Sequence, residues 1–474
     1  MDLNVLHDER YHDPLRTEVG SYFVANYPPF SVWSGEHLPA AHDALDARVT
    51  DRRHTVAQTE ARGSGLGLYL HIPFCRRRCK FCYYRVYTDK NSDDVEVYLD
   101  SLVREAALYA QRAALQGRSW DFVYFGGGTP SFLSSDQLRW LIDRISEHWR
   151  WEDAREVTFE CEPGTLKKSK LEAIKAIGTT RLSLGVEHFD DEVLTIGGRA
   201  HKSAETLRAY QWAREVGFEQ INLDLIAGMV GDTEGKWHET VGKAIELQPG
   251  SVTIYQMEVP HNSVLAHEAR VSGTPAPVAD WATKQARTDF AFRAFEQAGY
   301  GVSSAYTLVK HPSPPSQAAQ GRDTTSGGPA WKPSEFVYRD ALWHGADMIG
   351  MGVASFSFLG GVHFQNADSW DDYVGALQSG RLPLARAFPI TDRQRLIREL
   401  ILQLKLGRVP LAYFRTKFGT QIADVFSEAV GSLAAEGLAV VCSDELCLTR
   451  EGLLRVDSLL PRFFEPQFRN IRYM

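Results

Sequence analysis

The chain has 474 residues, 44% of them hydrophobic and 24% charged, with a formal net charge of −8 and a pI near 6.0. That balance suits a protein long enough to bury a large core and carry one or two appendages, and it argues against a chain built to sit on nucleic acid or anionic membrane, where a basic face is needed. No stretch approaches the roughly 18 consecutive apolar residues of a membrane span, and the start, Met1-Asp-Leu-Asn-Val-Leu, lacks a signal peptide's basic start and apolar run, so a cytoplasmic protein is expected.

Residues 1–60 are polar and aromatic by turns, and Tyr22-Phe-Val-Ala-Asn-Tyr-Pro-Pro-Phe-Ser-Val-Trp33 reads as an arm that either packs on a groove or covers an active site. From residue 66 onward, short β-rich runs alternate with helical ones. Strands are predicted over 66–72, 121–125, 156–160, 181–186, 220–225 and 251–259, and helices over 95–115, 136–148, 168–176, 203–215 and 234–246. Strict alternation demands right-handed crossovers and a parallel sheet. The predicted class is therefore α/β, an incomplete (β/α)6 barrel over 61–374 with catalytic groups at the carboxyl ends of the strands.

The motifs fall at those ends. After the first strand comes Cys75-Arg-Arg-Arg-Cys79-Lys-Phe-Cys82, a C-x3-C-x2-C spacing that suits a [4Fe–4S] cluster with three of its irons held by thiolates. A zinc site would want a fourth Cys or His nearby, and a disulfide would leave one thiol over. Of the other cysteines, Cys161 reads as a small buried hydrophobe, and Cys442 and Cys447 flank a turn. Six cysteines in so long a chain do not make a disulfide framework, and reduced thiols point to a reducing compartment.

After the second strand, Gly126-Gly127-Gly128-Thr129 lets the backbone approach a ligand that a Cβ would exclude. Glu160-Cys-Glu162 follows the third strand, and Glu187-His188 the fourth, leading on to Arg199 and His201; Asn222-Leu-Asp224 ends the fifth. Carboxylates suit ammonium groups and ribose hydroxyls, and an arginine suits a carboxylate. Residues 308–334 are too rich in Pro, Ser and Gly for a regular element and read as a long loop, a lid or a disordered stretch.

A helical domain is predicted over 375–474. Thr391-Asp-Arg-Gln394 reads as a capping box, Leu396, Ile397, Leu400, Ile401 and Leu404 form an apolar stripe, and helices over 411–418 and 421–436 precede a hairpin. Three helices and a wing resemble a winged-helix fold, but without a concentrated basic face, so nucleic-acid binding is not expected.

These motifs together resemble the radical S-adenosylmethionine (SAM) superfamily, and within it the oxygen-independent coproporphyrinogen III oxidase-like subgroup. The resemblance implies a [4Fe–4S] cluster on Cys75, Cys79 and Cys82, whose open iron SAM chelates and whose reduction yields a hydrogen-abstracting radical. It also implies two SAM molecules side by side. The cluster-bound one would meet Tyr69, Gly127, Glu160 and Phe356; the other would meet Phe81, Gly128, Thr129, Glu187, Arg199, Asp224 and Met257. The C-terminal domain would cover the substrate. The implied partners are a small unsaturated substrate and an electron donor such as flavodoxin or ferredoxin, with the chain acting as a monomer, apart from nucleic acid and membrane.

The chain departs from that subgroup's oxidases at two positions. They carry a further cysteine where Tyr84 stands, and glutamine in place of Glu187. The His-Asn-x-x-Tyr signature of the haem chaperones that share the fold is also missing, the corresponding stretch reading Tyr338-Arg-Asp-Ala-Leu342. The class C radical SAM methylases and related cyclopropane-forming enzymes then become the expected kin, with a methyl or methylene group moving from the second SAM to an sp2 carbon. Glu187, His188, Tyr255 and Glu258 are the candidates for moving a proton. Porphyrinogen oxidation is the alternative, and haem trafficking is the alternative of another class.

Overall fold

The computed structural model describes residues 26–48, 65–311, 336–442, 444–469 and 471. Its centre is a run of six parallel strands, β1 (Leu66–Ile72), β2 (Phe122–Gly127), β3 (Glu156–Cys161), β4 (Arg181–Glu187), β5 (Gln220–Ala227) and β6 (Ser251–Gln256), each paired with the next. Every residue of β1 except Tyr69 is buried, the near-continuous apolar burial of a strand covered on both faces. The crossover helices are capped by their own side chains: Asn91 and Asp94 close a reciprocal box at the start of Ser92–Ala110, and Ser134 and Gln137 do so for Ser135–Ser146.

The sheet does not stop at six strands. β7 (Tyr300–Val302) and β8 (Thr307–Lys310) add antiparallel beyond β6. On the other side β9 (Asp347–Met351) runs parallel to β1, followed antiparallel by β10 (Phe356–Leu359), β11 (Val362–Asn366) and β12 (Leu384–Pro389). The result is one 12-stranded partial barrel. Three expectations shift accordingly. The domain break placed at 374/375 moves beyond β12, because ladder bonds to β11 hold residues up to Pro389 in the barrel sheet. The strand expected to run to residue 259 ends at Gln256, and residues 308–310 of the expected loop belong to β8. Residues 312–334 of that loop lie outside the described residues, as do residues 1–25 and 49–60 of the expected arm.

The described part of the arm packs on the β10–β12 side. Trp33 stacks on His363 with ring centroids 4.8 Å apart, Phe30 and Trp33 both meet Phe356, and Ser34 exchanges two backbone hydrogen bonds with Ala387. None of these arm residues lines the cavity described below.

In the C-terminal domain Thr391 and Gln394 form the expected box, and helix Asp392–Leu404 is buried almost throughout. The segment expected as one helix over 421–436 is two, Ile422–Val425 and Ser427–Ala435, meeting at Phe426. β13 (Arg408–Pro410), β14 (Ala439–Cys442) and β15 (Glu445–Leu448) make a small antiparallel wing. Among the described residues no helix is long and apolar enough to cross a membrane.

Candidate active site

The carboxyl ends of β1–β6 and the last turns of the C-terminal domain enclose a cavity of about 710 Å³, within the usual range for ligand sites. Cys75, Cys79 and Cys82 form part of its wall, on the loop that leaves β1. That loop is tied down on both sides. Cys75 N–H donates to Tyr87 O and Lys80 N–H to Gly197 O, both at 3.0 Å. The Cys75 sulfur lies 3.3 Å from Thr129 Oγ1, and Arg199 Nη1 donates to Cys79 Sγ at 3.2 Å. Burial pushes the Cys75 thiol up to about 11 and the Cys82 thiol to about 12.

The donor set fits an iron–sulfur cluster better than a single ion. Among the described residues no three His, Cys, Asp or Glu side chains stand close enough together to hold one metal ion, whereas the thiolates of a four-iron cube stand further apart than the ligands of one zinc. Three thiols on one loop, with an arginine and a threonine turned to their sulfurs, meet that wider requirement.

The glycine loop needs its glycines. A Cβ on Gly128 would come within 2.8 Å of Pro73 C, 2.9 Å of Ile72 O and 3.1 Å of Cys75 Sγ, and Gly127 stands at φ +111°. The loop can therefore run directly against the cysteine segment, where Gly128 N–H donates to Ile72 O.

Next to it stand three carboxylates, Glu187 buried and Glu160 and Asp224 half-buried. Glu160 accepts from Tyr124 Oη at 2.7 Å and from Gly127 N–H at 3.2 Å. Asp224 accepts from Ser183 Oγ at 2.7 Å and Asn222 Nδ2 at 2.9 Å. Burial pushes Glu160 up to about 7 and Asp224 to about 8, and repulsion from Glu187 adds to both. Burial also raises Glu187, with the Arg199 guanidinium pulling against it. Three carboxylates that repel one another out of water favour a cationic ligand.

Glu187 closes β4 at φ +63°, at an irregularity in the β4–β5 register that turns its carboxylate to Arg199. Glu162, which was not assigned a role, belongs to the same wall. Despite burial, His201 beside it and the charges of Arg199 and Arg76 hold it down at about 2.

The structure gathers Phe81, Gly127, Gly128, Thr129, Glu160, Glu187, Arg199, Asp224, Tyr255, Met257 and Glu258 around this cavity with the three cysteines. Phe81 and Met257 share one apolar cluster. Three expected site residues lie elsewhere. His188 is fully buried behind β4, where its Nδ1 accepts from Asp190 N–H and its Nε2 lies 3.3 Å from Asp232 Oδ1, so its ring is spent on a structural network. Tyr69 stacks on Tyr124 and its hydroxyl lies 3.2 Å from His71 Nδ1, so its ring is held among aromatic neighbours outside the cavity wall. Phe356 turns its ring to Phe30 and Trp33 of the arm.

Other wall residues went unassigned from sequence. Ser183 and Gly185 alternate along β4, and a period-two count back from Glu187 would have found them. Tyr306 and Asp457 had no local signal: Tyr306 Oη donates to Asp457 Oδ2 at 2.5 Å across 151 residues of sequence. Asp457 in turn pairs with the buried Lys405 at 2.9 Å, and Gln256 Nε2 donates to Leu454 O, so the C-terminal segment is pinned over the cavity.

Residues 69–244 match the radical SAM superfamily and residues 390–455 match the HemN C-terminal domain. The oxygen-independent coproporphyrinogen III oxidase of Pseudomonas aeruginosa is 28% identical over 425 residues, 87% of this chain and 88% of that protein. The heme chaperone HemW of Bacillus subtilis is 26% identical over 392 residues, 81% of this chain and 96% of that protein. Among solved structures, coproporphyrinogen III oxidase (HemN) from Escherichia coli superposes with a TM-score of 0.74 at 24% identity, over 93% of this chain and 96% of that one. The radical SAM fold, with its partial barrel and C-terminal helical domain, implies a [4Fe–4S] cluster and SAM.

Proposed function

We propose that this chain, whose residues 69–244 match the radical SAM superfamily, is an enzyme that removes a hydrogen atom from an organic substrate held between the strand ends and the C-terminal cover. The observation that carries this reading is the meeting of three cysteines and three mutually repelling carboxylates in one covered cavity. Bound there, the cluster and SAM supply a carbon-centred radical able to take hydrogen from an unactivated carbon. The chain's own part is to hold and shield. Glu160, Glu187 and Asp224 receive cationic groups, Arg199 a carboxylate, and the segment around Asp457 keeps water from the reacting atoms.

The names of the relatives favour substrate oxidation of the coproporphyrinogen III oxidase kind over methyl or methylene transfer. A second reading, transfer of a one-carbon unit from a second SAM, is supported by the site's charges. Four arginines of the wall already have protein partners, Arg76 with Glu162, Arg199 with Glu187, Arg455 with Glu451 and Arg462 with Glu436, while Arg77 and Arg78 of the same wall form no ion pair among the described residues. With most of the wall's arginines paired, cationic ligands meet Glu160, Glu187 and Asp224, whereas a substrate with several carboxylates would find free guanidinium charge only at Arg77 and Arg78. On either reading Tyr255 and Glu258 are the wall groups proposed to move a proton, and flavodoxin or ferredoxin the class of electron donor.

Methyl-deuterated SAM separates the readings. Oxidation leaves 5′-deoxyadenosine unlabelled and the product without a new carbon. One-carbon transfer puts deuterium into 5′-deoxyadenosine and adds mass to the product. Cysteine-to-alanine changes at positions 75, 79 and 82 should abolish iron binding while Cys161→Ala keeps it; full iron in the triple variant would overturn both readings. Tight one-to-one uptake of haem without product formation would instead favour the chaperone role of HemW.

A further inference from the structure

Among the described residues only three Phe, Tyr or Trp side chains are exposed, Tyr84, Trp140 and Tyr255, and Tyr84 and Tyr255 line the same cavity. Each of these two is the open end of a stack. Tyr84 lies on Tyr83 with ring centroids 4.5 Å apart and planes 26° from parallel, and Tyr83 Oη donates to Tyr84 Oη at 3.3 Å. Tyr255 lies on Tyr306 at 6.3 Å and 27°, and Tyr306 is itself held by Asp457 of the cover. Tyr84 and Tyr255 each remain 41% exposed. The stacks belong to different walls, one on the cysteine loop and one at the end of β6 and the start of β8. They nonetheless stand close: enclosure raises the Tyr255 hydroxyl above its ordinary range, and Asp224 and then Tyr83 add to the rise.

Two flat rings left to water inside a covered cavity are unfavourable, and an aromatic ligand laid on them removes that exposure. We infer that the substrate is a flat, fused-ring aromatic molecule held on the Tyr83–Tyr84 and Tyr255–Tyr306 stacks. The assignment deepens the hydrogen-abstraction reading of this cavity and rests on it. Aromatic pairs prefer offset or edge-on arrangements with centroids about 4.5–7 Å apart. Both stacks already have that spacing, so a third ring continues either one without rearrangement. The inner ring of each stack is fixed by its hydroxyl, Tyr83 to Tyr84 and Tyr306 to Asp457, so little side-chain order is lost when a ligand arrives. A saturated substrate of the same size would be buried as well but would gain no stacking.

The test is calorimetric binding of 2-naphthamide and of its saturated counterpart decahydro-2-naphthamide to the cluster-loaded protein, with SAM absent and present. The two amides bury similar apolar surface, so a preference between them isolates ring stacking. The flat amide should bind about tenfold more tightly than the saturated one, with or without SAM. Tyr84→Ala and Tyr255→Ala should each erase most of that preference, Tyr84→Phe and Tyr255→Phe should keep it, and Trp140→Ala, on helix Ser135–Ser146, should not alter it. Iron content is measured alongside; should Tyr84→Ala lose iron, Tyr255→Ala on β6 carries the comparison. Equal binding of the two amides by the parent overturns the assignment, and so does a preference that survives both alanine variants. Displacement of the flat amide by SAM also overturns it, because the rings would then belong to the adenine of SAM. A parent protein that takes up no iron would instead overturn the radical SAM reading, and the substrate assignment with it.

Discussion

Arg199 Nη1 stands 3.5 Å from Glu187 Oε1, both side chains only 11% exposed, and the same nitrogen donates to Cys79 Sγ. One guanidinium therefore links the cluster loop to the carboxylate wall. Arg199→Ala strands Glu187 in the interior, and breaking such a pair costs about 3–5 kcal/mol. Urea unfolding of the cluster-free protein should show a loss of that order, with Glu187→Gln costing less because Arg199 keeps its hydrogen bond to Gly185 O and the nearby charge of Glu162. Equal losses for the two variants would mean that the pair does not hold the wall together.

The carboxylate wall predicts a pH dependence. Glu160 at about 7 and Asp224 at about 8 both hold their protons more tightly folded than unfolded. Their contribution to stability is present in full below about pH 4, the unfolded range, and is lost as the pH rises through 7 and 8. Ligand-free protein should lose stability from this source between about pH 4 and 8, while SAM should bind more tightly as the wall ionises towards the upper end of that range. The double variant Glu160→Gln, Asp224→Asn should flatten both slopes. Chemical unfolding and calorimetric SAM binding at a series of pH values check the two signs.

Gly128→Ala puts a methyl group 2.8 Å from Pro73 C and 2.9 Å from Ile72 O, both backbone atoms that cannot swing aside. The cysteine loop has to move, so iron uptake should fall several-fold, at an overpacking cost of about 1–3 kcal/mol. Gly117→Ala, where a Cβ meets nothing within 4 Å, controls for loss of glycine: strained at its φ of +73°, it should cost stability without touching iron content.

Lys405 is fully buried and pairs with Asp457 beneath the cavity cover. Asp457→Leu alone leaves an uncompensated ammonium and should cost about 3–5 kcal/mol, whereas Lys405→Met with Asp457→Leu should recover most of it. If the double variant folds as well as the parent but its substrate KM rises, the pair acts through its hold on Tyr306 and not through global stability.

Much of this molecule is legible residue by residue. Strand β1 and helices Lys168–Ala176 and Leu411–Phe418 fall where periodicity and breakers place them, because a strand buried on both faces and an amphipathic or capped helix each carry their signal within a few residues. The cysteine spacing and the glycine triplet are local too, and they carry the resemblance from which the cofactors are inferred. Tertiary structure decided what depends on distant partners. β12 belongs to the barrel only because β11 lies beside it, and His188 leaves the site only because Asp232 and Thr240 claim its ring. The cavity's cover exists because Lys405, Asp457 and Tyr306 meet from separate segments. Pairings between residues far apart in sequence leave no pattern in either stretch alone, and burial, which sets the charge of Glu160 and Asp224, exists only once the strands have assembled.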